Sequence, residues 1–308
     1  MADLDVQGKL RAGVQTVQIA VPSQLKPESS GVALTRILLP IDFNYSNLRA
    51  AHQVRVLARR FHASVTLMHV AEDSSFAFYA PAAGAELNAS RTRLERFGAA
   101  ELPGITVKPV ITSGDPATRI VEFAESQHCH LIVMPTHGYG PVRRFLLGLV
   151  TAKVLNKATC PVWTVASSTW ESSASGLKHV VCGVNFNSST ATIVRWAALF
   201  AQAFGAKLSV LSVLPSRSPC DGRERYVDQR NEGVLSVLES KLSGLVRELG
   251  VHAEILVDEG DAATILLDVA RVKEAGLLAI GRRDGGCDGL NDDANAVVRH
   301  APCPVVSV

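Results

Sequence analysis

The chain has 308 residues, 47% of them hydrophobic and 19% charged, enough for two ordinary domains with substantial cores and incompatible with a fibrous, disordered or low-complexity protein. Thirty-one basic against twenty-nine acidic residues leave a net charge of +2, which excludes a nucleic-acid binder that works through a broad basic surface. No apolar run reaches the roughly 18 residues of a membrane span and the N-terminus lacks the apolar core of a signal peptide, so the expectation is a cytoplasmic protein with neither a membrane nor a nucleic-acid partner.

Residues 1–33 have no counterpart later in the chain. Their alternating stretch Thr16-Val17-Gln18-Ile19-Ala20-Val21 reads either as an added edge strand or as part of a poorly ordered tail. From there, short β-branched runs alternate with helix-period segments, the signature of βαβ units and a parallel sheet. The predicted strands are Arg36–Ile41, Ser64–Val70, Ile105–Ile111, Leu131–Met134 and Val162–Val165. A first helix starts after Ser46, read as its N-cap, and its Ala50, Val54, Leu57 and Phe61 form a stripe facing the sheet. Leu87, Leu94 and Phe97 mark a second helix, and Asp115 followed by Pro116 caps a third.

The same pattern then returns. Phe61 to Val70 aligns with Phe204 to Val213, and Ala158-Thr159-Cys160-Pro161-Val162 with Ala301-Pro302-Cys303-Pro304-Val305, both at an offset of 143. Between them Gly114-Asp115-Pro116-Ala117-Thr118 matches Gly260-Asp261-Ala262-Ala263-Thr264 at 146, so three residues are gained before this point and lost after it. So long a period means two whole domains rather than a solenoid. The division is an extension over 1–33, a first domain over 34–166, a Ser/Ala-rich linker over 167–176 and a second domain over 177–308. The second helix stripes are Ile193, Ala197, Phe200 and Phe204, then Val234, Leu238, Leu242, Leu245 and Leu249. The six cysteines form no C-x-x-C pair and read as free thiols.

Open α/β sheets bind ligands at the carboxyl ends of strands near the point where strand order reverses. One such end is Leu39-Pro40-Ile41-Asp42-Phe43, with a carboxylate at the tip of a central strand. Another runs from Met134-Pro135-Thr136-His137-Gly138 through Arg143-Arg144 to Gly148-Leu149-Val150, a glycine-containing loop leading to a helix. Inward-turned N–H groups and a helix N-terminus suit phosphate, and the two arginines would reinforce it. Alternatively, the glycines serve tight turns and the arginines are solvated.

These residues resemble the universal stress protein family in its tandem two-domain arrangement, over nearly the whole chain from about residue 34. The resemblance implies an α/β fold of two Rossmann-like domains of the adenine nucleotide alpha hydrolase-like type. Each is expected to be a five-stranded parallel sheet of order 3-2-1-4-5 with helices on both faces. Nucleotide-binding members carry an Asp closing strand one and a loop G-x-x-G-(nine residues)-G-[ST] after strand four. Here Asp42 matches the Asp, and nine residues separate Gly138 from Gly148.

By that resemblance Ile41, Asp42 and Val70 lie at the adenosine, and His137, Gly138, Gly148, Leu149 and Val150 surround the phosphates, with Arg143 and Arg144 nearby and Pro40, Met134 and Pro135 flanking at the strand ends. The implied cofactor is ATP, with or without Mg2+, and the implied role is regulatory, in the stress response. Two positions depart from the pattern. Pro135 replaces the first Gly and cannot donate an N–H, and Leu149 replaces the Ser or Thr and has no hydroxyl. Thr151 is the candidate substitute for that hydroxyl.

The second half departs further. Asn185 stands for the strand-one Asp, Gly281 is kept as the first Gly, Asp284 replaces the second, and Asn291-Asp292 replace Gly-[ST]. Two arginines and four aspartates between Arg282 and Asp293 set like charge against a polyphosphate. This half reads as a structural domain that completes an intramolecular pseudo-dimer, with a homodimer and a protein partner of unknown identity also open. His128-Cys129-His130 is read as a loop entering strand four rather than as a metal cluster. No P-loop, G-x-S-x-G or H-E-x-x-H motif is present, so no enzyme is expected beyond a slow ATPase that would rely on His137. The remaining alternatives are a nucleotide-free interaction protein, in which the edge strands Val162–Val165 and Val305–Val308 pair domains or subunits, and a different ligand in the second domain.

Overall fold

Ile37, Leu38 and Leu39 are almost fully buried in succession, the continuous apolar run of a parallel strand covered on both faces rather than the alternation of a half-exposed one. The computed structural model describes residues 15–19, 33–71, 80–136, 147–165, 177–215, 224–282 and 292–308, to which all structural statements apply. In chain order the elements are β1 (Gln15–Ile19), β2 (Arg36–Pro40), α1 (Ser46–Phe61), β3 (Ser64–Ala71), α2 (Ala80–Glu101), β4 (Val107–Ser113), α3 (Pro116–Ser126), β5 (Leu131–Pro135), α4 (Leu149–Lys157) and β6 (Val162–Val165). The second half contributes β7 (His179–Val184), α5 (Thr190–Phe204), β8 (Lys207–Leu214), α6 (Glu224–Glu248), β9 (Ala253–Glu259), α7 (Ala262–Val272), β10 (Leu277–Ile280), α8 (Asp292–His300) and β11 (Val305–Ser307).

Two compact units result. One gathers β2–β6 and α1–α4 together with β11, and the other gathers β1, β7–β10 and α5–α8. In the first unit the parallel strands run β4-β3-β2-β5-β6, the expected order 3-2-1-4-5. β11 adds to β6 in antiparallel register, with Val305 opposite Thr164, Val306 opposite Trp163 and Ser307 opposite Val162. In the second unit β9-β8-β7-β10 are parallel in the order 3-2-1-4, and β1 adds antiparallel to β9. The two added strands make the sheets mixed where parallel ones were expected. No crossover helix ties either strand to its neighbour, so neither is obliged to run parallel.

The stripe Ala50, Val54 and Leu57 of α1 is buried, as is its counterpart Ile193, Ala197 and Phe200 of α5. Both helices end in a left-handed residue, His62 (φ 53°) and Gly205 (φ 64°), whose N–H returns to the last turn. The stripes of the longer helices are buried only in part. Leu94 and Leu242 are core, but Leu87 and Val234, expected to join them, are exposed. Helices of 22 and 25 residues outrun strands of 7 and 8, so their first turns extend past the sheet.

One buried polar contact anchors α1 to the sheet. Trp163 of β6 donates its indole N–H to the side-chain oxygen of Gln53, and both residues are buried. At the equivalent positions of the second half stand Val306 and Trp196, so the large aromatic moves from strand to helix. Gln53→Leu keeps volume but orphans the indole N–H. It should cost about 1–3 kcal/mol in denaturant unfolding followed by tryptophan fluorescence; an unchanged midpoint would show that the contact carries no stability.

The outer sheet edges are treated differently. β1 covers β9 through five register pairs, Gln15 with Val257 through Ile19 with Ala253. β4 ends its sheet order and carries Pro109 where the repeat places Ile255, the residue opposite Val17. Proline has no N–H to offer an incoming strand, so β4 blunts its own edge while β9 depends on β1. Removal of residues 1–31 should therefore produce concentration-dependent self-association in light scattering, and Ile255→Pro in the shortened chain should suppress it. A monodisperse shortened chain would mean that β1 is not needed as an edge cover.

Candidate functional site

β2 pairs with β5 through Ile37–Leu131 and Leu38–Ile132, and strand order reverses between these two strands. Their carboxyl ends carry the described part of the site. Pro40 and Ile41 are buried, and the Ile41 N–H donates to the Met68 carbonyl at 2.8 Å, continuing the ladder past the end of β2. The Ile41 carbonyl accepts from His69 Nδ1 at 2.8 Å, which fixes the imidazole tautomer. Val70 follows, half-buried near the end of β3.

Asp42 is exposed. Its N–H and that of Asn44 donate to Oδ1 of the buried Asn47 at 3.1 and 3.2 Å. Its carboxylate accepts from the Asn44 N–H at 3.2 Å and from the Asn44 side-chain amide. Asn44 Oδ1 in turn accepts the Ser46 N–H at 2.9 Å and the Ser46 hydroxyl. The side chain that caps α1 is thus Asn44 and not Ser46, whose hydroxyl is a donor here. Asn187 does the same in the second half, accepting from the Ser189 N–H at 3.1 Å and hydroxyl at 2.7 Å. The signal was present as Asp42-Phe43-Asn44 repeated in Asn185-Phe186-Asn187.

The middle residue of each triplet is left-handed, Phe43 at φ 59° and Phe186 at φ 56°. The Phe43 ring lies 4.8 Å from the His69 ring and 4.0 Å from the Arg93 guanidinium.

On the β5 side Met134 and Thr136 are buried and Pro135 is half-buried. Thr136 donates its N–H and hydroxyl to the Val165 carbonyl at 3.2 and 3.0 Å. Its own carbonyl accepts the Gly148 N–H at 2.9 Å, closing the intervening loop at the start of α4. His137, Gly138, Arg143 and Arg144 lie in that loop, outside the described residues. Gly148 is the N-cap of α4 and, as a glycine, supplies no side-chain bond to the first-turn N–H groups. Leu149 is 73% exposed. Thr151 does not replace the missing hydroxyl of that position: it is buried and donates to the Pro135 carbonyl at 3.0 Å, on the opposite side of the helix from Leu149.

Asp115 and Asp261 cap α3 and α7 as expected, accepting the N–H groups of Thr118 at 3.0 Å and Thr264 at 2.8 Å. The N–H and hydroxyl of Thr118, and the hydroxyl and N–H of Thr264, hold these carboxyls below the usual carboxylate range. Among the described residues no group of three or more His, Cys, Asp or Glu could hold a metal. His130 instead faces the Thr35 N–H at 3.0 Å and the Arg36 guanidinium at 3.0 Å. Burial, then the charge of Arg36, depresses its basicity. Burial raises the thiols of Cys129, Cys182 and Cys303, the last to about 12, so none of these is a nucleophile.

The model of the universal stress protein family matches residues 34–166 and again residues 176–308. The chain belongs to the universal stress protein family. A universal stress protein of Methanocaldococcus jannaschii is 36% identical over 138 residues, 42% of this chain and 81% of that one. Another, from Methanothermobacter thermautotrophicus, is 40% identical over 65 residues, 21% of this chain and 44% of its own length. Among solved structures, a universal stress protein from Archaeoglobus fulgidus superposes with a TM-score of 0.68 at 18% identity, covering 89% of this chain and 96% of that one, a likeness of fold.

The second universal stress protein repeat lacks the strand-end carboxylate, with Asn185 in its place, and α8 begins directly at Asp292. Gly281 is tight rather than open: a Cβ there would stand 2.5 Å from Ile193 Cδ1. Asp284 and Asn291 lie outside the described residues.

Sequence reading missed a buried polar network at the opposite, amino end of these strands. Ser209 donates to Glu254 Oε2 at 2.6 Å, and Lys273 Nζ reaches Glu254 Oε1 at 2.7 Å. With the Ser209 proton committed to Glu254, His179 Nε2, 2.8 Å from Ser209 Oγ, is the donor of that contact. Burial, with Lys273 and Lys207 adding to it against the opposing pull of Glu254, depresses the His179 pKa. Burial works to raise the Glu254 pKa, but the bonds from Lys273 and Ser209 outweigh it and hold the carboxyl low. Because the folded-state pKa of His179 is the lower one, its contribution to stability is fully present above the unfolded value of about 6.5 and is lost as pH falls below it. Melting temperature should decline between pH 7 and pH 5, and His179→Gln should flatten that decline. Parallel profiles for the two proteins would show that His179 does not titrate with folding.

Proposed function

We propose that this universal stress protein is an ATP-binding regulator whose first repeat, residues 34–166, holds the nucleotide, while residues 177–308 serve as its structural partner domain. The observation that carries the reading is the convergence of two features at one topological switch point. Asp42 presents its carboxylate beyond the end of β2. The Gly148-to-Thr136 bond ties the start of α4, whose N-cap glycine offers no side-chain bond, to the end of β5. A carboxylate suits hydroxyl and amine donors of an adenosine, and first-turn N–H groups with the positive helix end suit phosphate oxygens.

Pro135 and Leu149 remove one N–H and one hydroxyl relative to the family loop, but backbone donors at the start of α4 do not depend on side-chain identity. Binding serves as a signal rather than for turnover: the nucleotide shifts a population of conformations or of complexes with an unidentified protein partner. Among the described residues no helix is long and apolar enough to cross a membrane.

Titration calorimetry of the full chain with ATP and magnesium should give one site, and Asp42→Ala should weaken it at least about tenfold, the loss expected for a hydrogen bond to a charged group. Absence of heat and of thermal shift at millimolar ATP would overturn the nucleotide reading in favour of an interaction protein.

A further inference from the structure

Phe43 has a side chain unsuited to its backbone. At φ 59° an L-residue with a bulky side chain is strained, and glycine would hold the same turn at no steric cost. The strain belongs to the turn itself, since Phe186 repeats it at φ 56°. What differs between the repeats is what surrounds the ring. In the first half the ring contacts His69 at 4.8 Å and Arg93 at 4.0 Å. The repeat places Ser212 at the His69 position, so the second half has no imidazole there.

We infer that Phe43 is a base-stacking platform: the ring face that the Arg93 guanidinium covers takes the purine of an adenine nucleotide. The inference rests on the nucleotide reading above and extends it to a residue outside the family loop. Three observations support it. The ring is adjacent to Asp42, the carboxylate assigned to the adenosine end of the site. The imidazole beside it is locked by its Nδ1 bond to the Ile41 carbonyl, so that part of the platform is rigid before ligand arrives. The group covering the ring is a planar cation on an exposed helical side chain, and a cation over an aromatic face at such a site is held weakly enough for a base to displace it.

The test compares Phe43→Leu, which keeps apolar bulk and the same backbone constraint but has no π face, with Phe43→Trp, which has a larger one. In ATP titrations of the full chain, Phe43→Leu should weaken binding about fivefold or more, Phe43→Trp should bind as well as wild type or better, and Phe186→Leu should leave affinity unchanged. Equal ATP affinity in wild type and Phe43→Leu would overturn the platform while leaving the nucleotide reading intact. Weakening by both leucine and tryptophan would also overturn it, because the ring would then serve the fold and not a base. No binding to the wild-type chain would overturn both readings together.

Discussion

Strand β2 is paired to β3 on one side and to β5 on the other, and the first repeat's candidate site follows from that double pairing. Parallel neighbours cannot be joined by tight turns, so the chain leaves β2 in one direction through α1 and returns on its other side at β5 after α3. The two crossovers diverge at the carboxyl ends of these strands and leave room there for a ligand. The ladder does not stop where the strand does. Ile41 continues it to Met68, His69 binds back to Ile41, and the carboxylate of Asp42 is thereby held just beyond the last pleat. A strand terminus that would otherwise fray becomes a fixed point from which a side chain projects.

The two repeats show how one backbone plan tolerates different chemistry. Turn residues are kept because the backbone demands them: the asparagine caps Asn44 and Asn187, the aspartate caps Asp115 and Asp261, and the left-handed positions after α1 and α5. The large aromatic changes element, with a tryptophan on the fifth strand in one half and on the first helix in the other. The strand-end carboxylate is retained in one half only. Residues that serve the fold recur in both halves, whereas the strand-end carboxylate does not.

Buried polar groups are placed with similar economy. Glu254 remains charged in a partly buried position because Lys273 and Ser209 both donate to it, and His179 remains neutral because burial and two lysines oppose a proton. This network lies at the amino ends of the strands and links β7, β8 and β9 through their side chains.

Much of this architecture is legible in the amino-acid sequence alone. Whereas the strand order is implied by the family resemblance, the 143-residue repeat, the alternation of β-branched runs with helical stripes and the two aspartate caps follow from local pattern, because each depends on spacing along the chain or on bonds within a few residues. So does the candidate position of Asp42. What the tertiary structure decided are contacts between residues far apart in sequence: Trp163 with Gln53, His179 with Ser209 and Glu254, and Phe43 with His69 and Arg93. It also decided the direction of side chains on α4, where Thr151 turns inward to Pro135 and Leu149 outward to solvent. Two residues apart on a helix, they point about 200° apart, and only packing against β5 determines which of them meets the protein.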